Sequence, residues 1–359
     1  MSVVKIFGFE DLAPTINTAL FENFTGLARV FPDTQSFTMT QYKGRQWAKV
    51  QGSVDGNGGY AVTRAASFKI EMIPLVTAPV LLSKRIWVGC RVLIQVTANS
   101  YPQSMAWMEF GLGGNVALLG FNELLKDVEY YIEIGFDYTA GNVQVWVNGA
   151  LLKTVLIPAW GPQQASGYTR VIIGQFDQDY NNNGPLLGQA RMFLFNDVYV
   201  TIEDGIGLSG RLGAVKVKPL EIEEVTLGEG WGQVGTGTPK EILSAANLTP
   251  TAAVANVLRS STKHTDTVVG FKKPVTEDPV EFVQIDAIGF RDEATTTNIV
   301  TSVDDRGVKT PNKLTVSPVA TVVGGQTRVL SSEMTSTGDR WSPDIVDSLK
   351  VILNAKTGA

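Results

Sequence analysis

The chain has 359 residues, a formal net charge of -5, 44% hydrophobic residues and 18% charged residues. That length is enough for two hydrophobic cores. No apolar run approaches the roughly 20 residues of a membrane-spanning helix. The acidic balance, without a clustered Lys/Arg stripe, argues against a protein that grips nucleic-acid phosphates. The only cysteine, Cys90, and the only histidine, His264, exclude an internal disulfide and zinc sites built on several such ligands.

The first 200 residues read as a succession of short strands separated by Gly, Pro and Asn clusters. Residues 85–96 (RIWVGCRVLIQV) are nearly all apolar, which predicts a central strand covered on both faces and a buried Cys90. Residues 129–158 alternate with period two and turn at Asn148-Gly149, a pair that favours a two-residue hairpin. We predict that this hairpin lies at the centre of a large antiparallel sheet.

The character of the chain changes after residue 200. A glycine-rich link leads into an acidic run that we predict to be solvated, with Glu221, Glu223, Glu224 and Glu229. The β pattern returns from residue 281 and is interrupted near the end by Ser342-Pro343, which predicts a capped helix over residues 343–349. Residues 243–255 fit a short helix or a loop.

We therefore predict an all-β protein with three parts. A concanavalin-like jelly-roll sandwich covers residues 1–202, and a linker strand with the acidic segment covers residues 203–230. A second β-sandwich with one short helix, used for assembly, covers residues 231–359.

Two runs carry a resemblance to known domains. The stretch EYYIEIGFDYTAGNVQVWVNGALL resembles the central hairpin of concanavalin-like or laminin-G-like jelly rolls, and MFLFNDVYV resembles their closing strand. Asn196-Asp197 stands where those domains usually have two aspartates. The order of segments, closing on DRWSP and DSL, is similar to that of tailed-bacteriophage virion structural proteins, although Lys350-Val351-Ile352 lacks the glycine of their final motif.

The resemblance implies a non-enzymatic structural protein of a tailed bacteriophage, located in the virion after assembly in the host cytoplasm. We expect a tail, collar or fibre position, contacts with other virion proteins, and a homo-oligomer formed by apolar burial and edge-strand pairing. No nucleic acid and no membrane insertion are expected. The alternatives are a lectin-like module that binds a host cell-surface glycan during adsorption, and a capsid decoration protein.

The loop after residue 176 is the predicted binding site. Asp177, Asp179, Asn181 and Asn183 alternate along it, and side-chain oxygens of this kind are the ligands that Ca²⁺ prefers. The glycine is misplaced for an EF-hand loop and no bidentate Glu follows, and Asx-rich runs also build plain turns. We predict no metal or other cofactor, keep Ca²⁺ as an alternative, and predict that these four residues and Trp160 contact a glycan.

Three carboxylates on the hairpin strand raise the question of glycoside hydrolysis. Glu129, Glu133 and Asp137 are four residues apart, and that spacing on a strand is about 13 Å, beyond the roughly 5–9.5 Å of hydrolytic pairs. We predict a solvated strand face. A glycosidase is the third hypothesis, and it requires that hydrolysis be lost when Glu133 or Asp137 is changed.

Overall fold

The structure is a computed structural model that describes residues 3–7, 24–25, 28–32, 36–51, 66–72, 85–96, 104–110, 114–120, 123–137, 140–156, 169–175, 191–203, 210–243, 257–261, 265–274, 276, 279–280, 282–289, 297–316, 324–331 and 341–357. Two compact units divide the chain, one formed mainly by residues 26–217 and the other mainly by residues 218–359. The finer predicted boundaries at residues 202 and 230 stay a prediction. No helix in the described ranges is long and apolar enough to span a membrane.

Short strands account for most of the described part of the first 203 residues. They are β1 (Val3–Phe7), β2 (Phe24–Thr25), β3 (Ala28–Pro32), β4 (Ser36–Tyr42), β5 (Arg45–Gln51), β6 (Ala66–Met72), β7 (Arg85–Val96), β8 (Ser104–Phe110), β9 (Gly114–Gly120), β10 (Glu129–Asp137), β11 (Asn142–Val147), β12 (Ala150–Leu156), β13 (Thr169–Gln175) and β14 (Arg191–Glu203). All of them except β2 belong to the first unit.

Two antiparallel sheets stack in the first unit as a jelly-roll sandwich. The eight-stranded sheet has the order β12-β11-β10-β7-β14-β5-β4, and β1 also pairs with β14. The five-stranded sheet has the order β3-β6-β13-β8-β9, and β6 and β9 contact strands of the larger sheet. The predicted all-β jelly-roll class is confirmed.

The central strands of the larger sheet are buried on both faces. Between β10 and β14, strand β7 is covered as predicted, and Cys90 on it is fully buried. One face forms the core, where each of the following side chains is at most 2% exposed: Ile86, Val88, Val92, Ile94, Ile132, Ile134, Phe136, Val143, Val145, Phe193, Phe195 and Val200. They alternate along β7, β10 and β11 with the period of two that a pleated strand imposes, whereas in β14 the alternation changes at the register shift between Asn196 and Tyr199.

The predicted hairpin forms, but its place in the sheet differs from the prediction. Asn148 and Gly149 both have positive φ, 48° and 82°, as a type I′ turn requires. Strand β12 lies at the edge of the sheet, and β7 and β14 lie nearer its centre. A hairpin fixes the pairing of its own strands only, so the sequence carried no signal for what lies beyond β12.

The second unit contains three sheets and two short helices in its described part. Its elements are β15 (Ile222–Thr226), β16 (Trp231–Val234), α1 (Pro239–Leu243), β17 (Val257–Ser260), β18 (Asp266–Phe271), β19 (Phe282–Gly289), β20 (Thr297–Asp305), β21 (Val308–Val316), β22 (Gly324–Ser331), α2 (Pro343–Asp347) and β23 (Leu349–Thr357). The sheets have the orders β15-β18-β23-β20-β21, β16-β17 and β19-β22-β2. The glutamates of the acidic run are exposed, as predicted.

Both helices begin at caps that the sequence encodes. Ser342 Oγ accepts a hydrogen bond from Ile345 N at 3.2 Å, which confirms the predicted start of α2. The helix ends at Asp347 and not at residue 349, because Leu349 begins β23. The prediction of a single helix missed α1, whose Thr238 and Glu241 form a reciprocal capping box.

Candidate functional site

Charged and aromatic side chains cover the face of the eight-stranded sheet that lies opposite the core. Register sets this arrangement, because Glu133 lies across from Gly89 and Gly89 lies across from Tyr199. Residues that pair directly project from the same side of a sheet. We call this side the polar face, and it carries Arg85, Trp87, Arg91, Glu129, Tyr131, Glu133, Asp137, Asn142, Gln144, Trp146, Tyr199 and Glu203.

A segment of the same chain, residues 210–217, lies on the middle of the polar face, and we call it the crossing segment. Leu212 and Val215 pack on an aromatic cluster of Trp87, Tyr131 and Tyr199. The guanidinium of Arg211 lies over the Trp146 ring, 4.1 Å from its centroid. The crossing segment therefore occupies the aromatic surface of this face.

Glu133 fastens one end of the crossing segment and is fully buried. Its carboxylate accepts hydrogen bonds from Tyr199 Oη at 2.5 Å, Gly213 N at 2.7 Å and Arg211 Nη1 at 2.8 Å. The prediction of a solvated face is wrong for this residue. The ring of Tyr199 packs directly against Gly89, and it fits only because residue 89 has no side chain: a Cβ on residue 89 would overlap the ring. The three donors replace the hydrogen bonds to water that the carboxylate loses when it is buried.

Asp197 fastens the other end of the crossing segment. Its fully buried carboxylate accepts hydrogen bonds from Arg91 Nε at 2.6 Å, Val217 N at 2.9 Å and Arg45 Nη2 at 3.1 Å. The register of β14 against β7 shifts here, and Asp197 has a φ of 51°. The bulge turns the side chain toward the arginines, which is a known use of such irregularities.

Burial and neighbouring charges shift the pKa values of several groups around Glu133 and Asp197. Burial raises the pKa of Tyr199, and the charge of Glu133 raises it further. Burial also raises the pKa of the Tyr131 hydroxyl and of the Cys90 thiol. For Arg91, burial lowers the pKa, but the hydrogen bonds and charges of Asp197 and Glu129 outweigh it and the net shift is upward. The phenols and the thiol are therefore held neutral.

We expect the free energy of unfolding to fall at alkaline pH. The unfolded chain releases the thiol and phenol protons near the ordinary pKa values of 9.0 and 10.0, whereas the folded chain keeps them on Cys90, Tyr131 and Tyr199. The unfolded state then binds fewer protons, so each group lowers stability by up to about 1.4 kcal/mol per pH unit. Urea unfolding measured between pH 8 and 11 checks this. In Cys90→Ala the free energy of unfolding should fall less steeply with pH between pH 9 and 10. A free energy that stays level over this range would contradict it.

A row of polar side chains crosses four strands at one end of the polar face, beyond the anchors of the crossing segment. We call it the terminal row: Asn142 on β11, Asp137 on β10, Arg85 on β7 and Glu203 on β14. Arg85 Nη2 donates to Asp137 Oδ2 at 2.7 Å, and Arg85 Nη1 lies 3.8 Å from Glu203 Oε2. Trp87 Nε1 donates to Glu203 Oε2 at 3.0 Å.

Two buried polar atoms of the terminal row have no hydrogen-bond partner. They are the donor Arg85 Nε and the acceptor Asn142 Oδ1. Asp137 lies between these two residues in the sheet, directly opposite Asn142 on one side and Arg85 on the other. Gln144, the next residue of β11 on the polar face, accepts a hydrogen bond from Trp146 Nε1 at 3.3 Å. Buried groups of this kind are rare in folded proteins, and a bound ligand or water is a common reason for them.

The predicted glycan-binding residues Asp177, Asp179, Asn181, Asn183 and Trp160 lie outside the described residues, and so does His264. Their predicted roles, and the Ca²⁺ alternative, stay predictions. Within the described part, no group of three or more His, Cys, Asp or Glu side chains is arranged to hold a metal ion.

The sequence-based reasoning missed the anchors of the crossing segment and the terminal row. One signal was available: Arg91 is a charged residue inside a strand that otherwise reads as buried on both faces. Such residues are rarely buried unless they are paired. Glu129 and Asp137 are partly exposed and pair with Arg91 and Arg85.

No protein-family model and no curated protein matches the chain. Solved structures do match it. The family 7 alginate lyase A1-II′ aligns with 14% identity and a TM-score of 0.32 over 47% of this chain and 82% of its own. The cellulose-induced protein Cip1 aligns with 15% identity and a TM-score of 0.27 over 59% and 94%. A botulinum neurotoxin type C structure, described by its interaction with two gangliosides, aligns with 10% identity and a TM-score of 0.31 over 54% and 47%.

These matches correct one prediction. The statement that the chain is not an enzyme is wrong as made, because alginate lyases are among the solved structures that resemble it. At 10% to 15% identity the likeness concerns the fold alone, and it assigns no reaction to this chain.

Proposed function

We propose that the first unit is a carbohydrate-binding module and that the terminal row is its binding surface. The observation that carries the proposal is the pair of unpartnered buried atoms, Arg85 Nε and Asn142 Oδ1. One is a donor and the other an acceptor, and both residues lie across from Asp137 in the sheet. The two residues lie on β11 and β7 with β10 between them, so each atom needs a ligand group of its own, and a carbohydrate with several hydroxyl groups supplies both a donor and an acceptor.

The rest of the row has the same chemistry. Asp137 and Glu203 supply carboxylate oxygens, which accept hydrogen bonds from hydroxyl groups, and their side chains are 21% and 44% exposed. Four neighbouring strands at a spacing of about 4.8 Å make the row roughly 14 Å long. A row of this length suits several hydroxyl groups of an extended polysaccharide better than a single small molecule.

The middle of the polar face is a less suitable surface. Its aromatic rings are covered by Leu212, Val215 and Arg211, and its two buried carboxylates already accept several hydrogen bonds each. A ligand there would have to displace residues 210–217. Binding at the terminal row leaves these contacts in place.

Glycan binding tests the proposal directly. We expect isothermal titration against neutral and acidic oligosaccharides to find a ligand whose affinity falls about tenfold or more in Arg85→Met and in Asn142→Leu, since each change removes a directed hydrogen bond. The control is Lys126→Met, an exposed cation of the same unit. Product analysis of the same mixtures measures whether a bound polymer is also cleaved.

Two outcomes would overturn the proposal. One is the absence of any carbohydrate ligand in a broad glycan screen of the folded protein. The other is binding that depends on Asp177 or Trp160 and is unchanged in Arg85→Met, because the ligand would then sit at the predicted loop and not at the terminal row.

The resemblance to tailed-bacteriophage virion proteins supports a second, finer proposal, in which this module is part of a virion and binds a host cell-surface glycan during adsorption. Its support is the order of segments in the sequence, together with the capped helix α2 at the closing motif. Antibody labelling of intact particles in the electron microscope tests it. Label on the tail, collar or fibres supports the adsorption role, label over the head supports capsid decoration, and unlabelled particles contradict a virion location.

A further inference from the structure

The eight-stranded sheet ends at β12, whose outer side pairs with no other strand of the described part. A free strand edge presents unpaired N–H and C=O groups, and proteins usually protect such edges with charges or proline. Strand β12 has the sequence ALLKTVL, which contains no proline and a single charged residue. That residue, Lys153, is already engaged by Glu123, with an Nζ–Oε2 distance of 2.9 Å.

Exposed apolar side chains concentrate at this edge. Among the described residues, Leu151, Leu152 and Leu156 on β12 are 47%, 44% and 76% exposed. Leu125 and Val128, at 68% and 38%, lie in the segment that begins with Glu123, the partner of Lys153. The other exposed large hydrophobic residues of the described part are Val234 and Val308, both in the second unit. We call the exposed leucines of β12 the edge patch, and a patch of this kind marks an interaction surface.

From these observations we infer that the chain forms a two-fold dimer in which β12 pairs antiparallel with β12 of a second copy. This inference does not depend on carbohydrate binding. A second copy is the favoured occupant because the strand is complementary to itself in one register. Hydrogen-bonded and non-hydrogen-bonded pairs alternate along an antiparallel ladder, so a two-fold axis requires a residue to lie opposite its own copy.

The choice among such registers follows from the sequence of the strand. Centring the axis on Lys153 would place two ammonium groups opposite each other, which is unfavourable. Centring it on Val155 would leave Leu152 outside the overlap. Centring it on Thr154 pairs Lys153 with Val155 on both sides of the axis, and it places Leu152, the extra residue of a bulge in β12, beside Leu156 of the second copy. This register lets four exposed leucines, two from each copy, cover part of one another's apolar surface, and it moves the lysines from directly opposite to diagonal positions.

The pairing leaves the rest of the polar face accessible. From Asn142 the terminal row runs inward over β10, β7 and β14, away from the dimer edge. The dimer therefore joins two larger sheets into one continuous sheet and repeats the terminal row on the same side of it. Two copies of a binding row would raise the avidity for a polymer.

Sedimentation equilibrium of the full chain tests the dimer. We expect the wild-type chain to dimerise and Leu152→Lys/Leu156→Lys to weaken the dimer about a hundredfold or more, because each copy then brings two charges into an apolar contact. Val308→Lys, which adds a charge at an exposed valine of the second unit, is the matched control and should leave the dimer unchanged. A monomeric wild-type chain, or a dimer that survives the double substitution, would overturn the inference.

Cysteine cross-linking tests the register separately. Opposite Cβ atoms in a sheet lie about 4.5–5.5 Å apart, so Thr154→Cys should oxidise readily to a disulfide-linked dimer. Two copies of Leu156→Cys would be four residues apart along the paired strands, about 13 Å, and should not cross-link. The native Cys90 is buried and does not interfere. Cross-linking of Leu156→Cys without that of Thr154→Cys would overturn the proposed register.

Discussion

Replacement of Glu133 by Gln is expected to lower the free energy of unfolding by about 3 kcal/mol, because it removes one charge of a buried ion pair without removing its partner. The amide keeps the volume of the side chain, so no cavity forms. It places an N–H₂ group among the three donors that now converge on the carboxylate, those of Tyr199, Arg211 and Gly213. At least one donor then loses its acceptor in a buried site.

The measurement is urea unfolding together with hydrogen exchange of the Leu212 and Gly213 amides. Leu212 N donates to Tyr199 Oη and Gly213 N donates to the Glu133 carboxylate. The substitution should therefore increase the exchange rates of both amides as well as lower the global stability. Glu129→Gln is the matched control on the same strand and face. Its side chain is 34% exposed, so its ion pair with Arg91 contributes less than about 1 kcal/mol. Equal effects of the two substitutions would contradict the anchoring role of Glu133.

Replacement of Asp197 by Ala is expected to cost about 3–5 kcal/mol, the range for breaking a buried ion pair from one side. Arg91 would keep only its partly exposed partner Glu129, Arg45 would lose this carboxylate, and Val217 N would lose its acceptor. A second, smaller cost arises because Asp197 has a φ of 51°, a left-handed conformation that alanine tolerates less well than aspartate.

Asp127→Ala separates these two costs. Asp127 has a similar φ of 59°, but its side chain is 52% exposed. The control therefore carries the backbone cost with little of the ion-pair cost, and it should destabilise the protein by about 1 kcal/mol. The difference between the two variants in urea unfolding measures what the buried carboxylate contributes. A difference near zero would show that the arginines do not depend on it.

Together the two buried carboxylates explain why residues 210–217 lie on the sheet. Each carboxylate accepts one backbone N–H of the crossing segment, Gly213 N at Glu133 and Val217 N at Asp197. Their side-chain partners bind two more backbone groups of the segment: Tyr199 Oη accepts from Leu212 N, and Arg91 Nη2 donates to Val215 O. Backbone groups that leave water need such partners. The polar face thus acts as an internal binding surface along most of its length, and its terminal row is the part where two polar atoms still lack partners.

Local signals in the sequence determined much of this fold. The period-two pattern and Asn148-Gly149 predicted the hairpin, and the apolar run of β7 predicted a strand covered on both faces. Ser342 and Pro343 predicted the start of α2, whose end was predicted two residues too late. Each of these signals acts between residues close in the chain, where spacing alone sets the geometry. The capping box of α1 was as local, and it was overlooked.

The tertiary structure alone decided the burial of Glu133 and Asp197. Their partners Arg211 and Arg45 are 78 and 152 residues away along the chain, and the strand pattern of Glu133 is the same whether its face meets water or residues 210–217. Likewise, the turn at Asn148-Gly149 cannot show that β12 is an edge. A strand pattern encodes which residues share a face, whereas what covers that face depends on contacts made by distant segments.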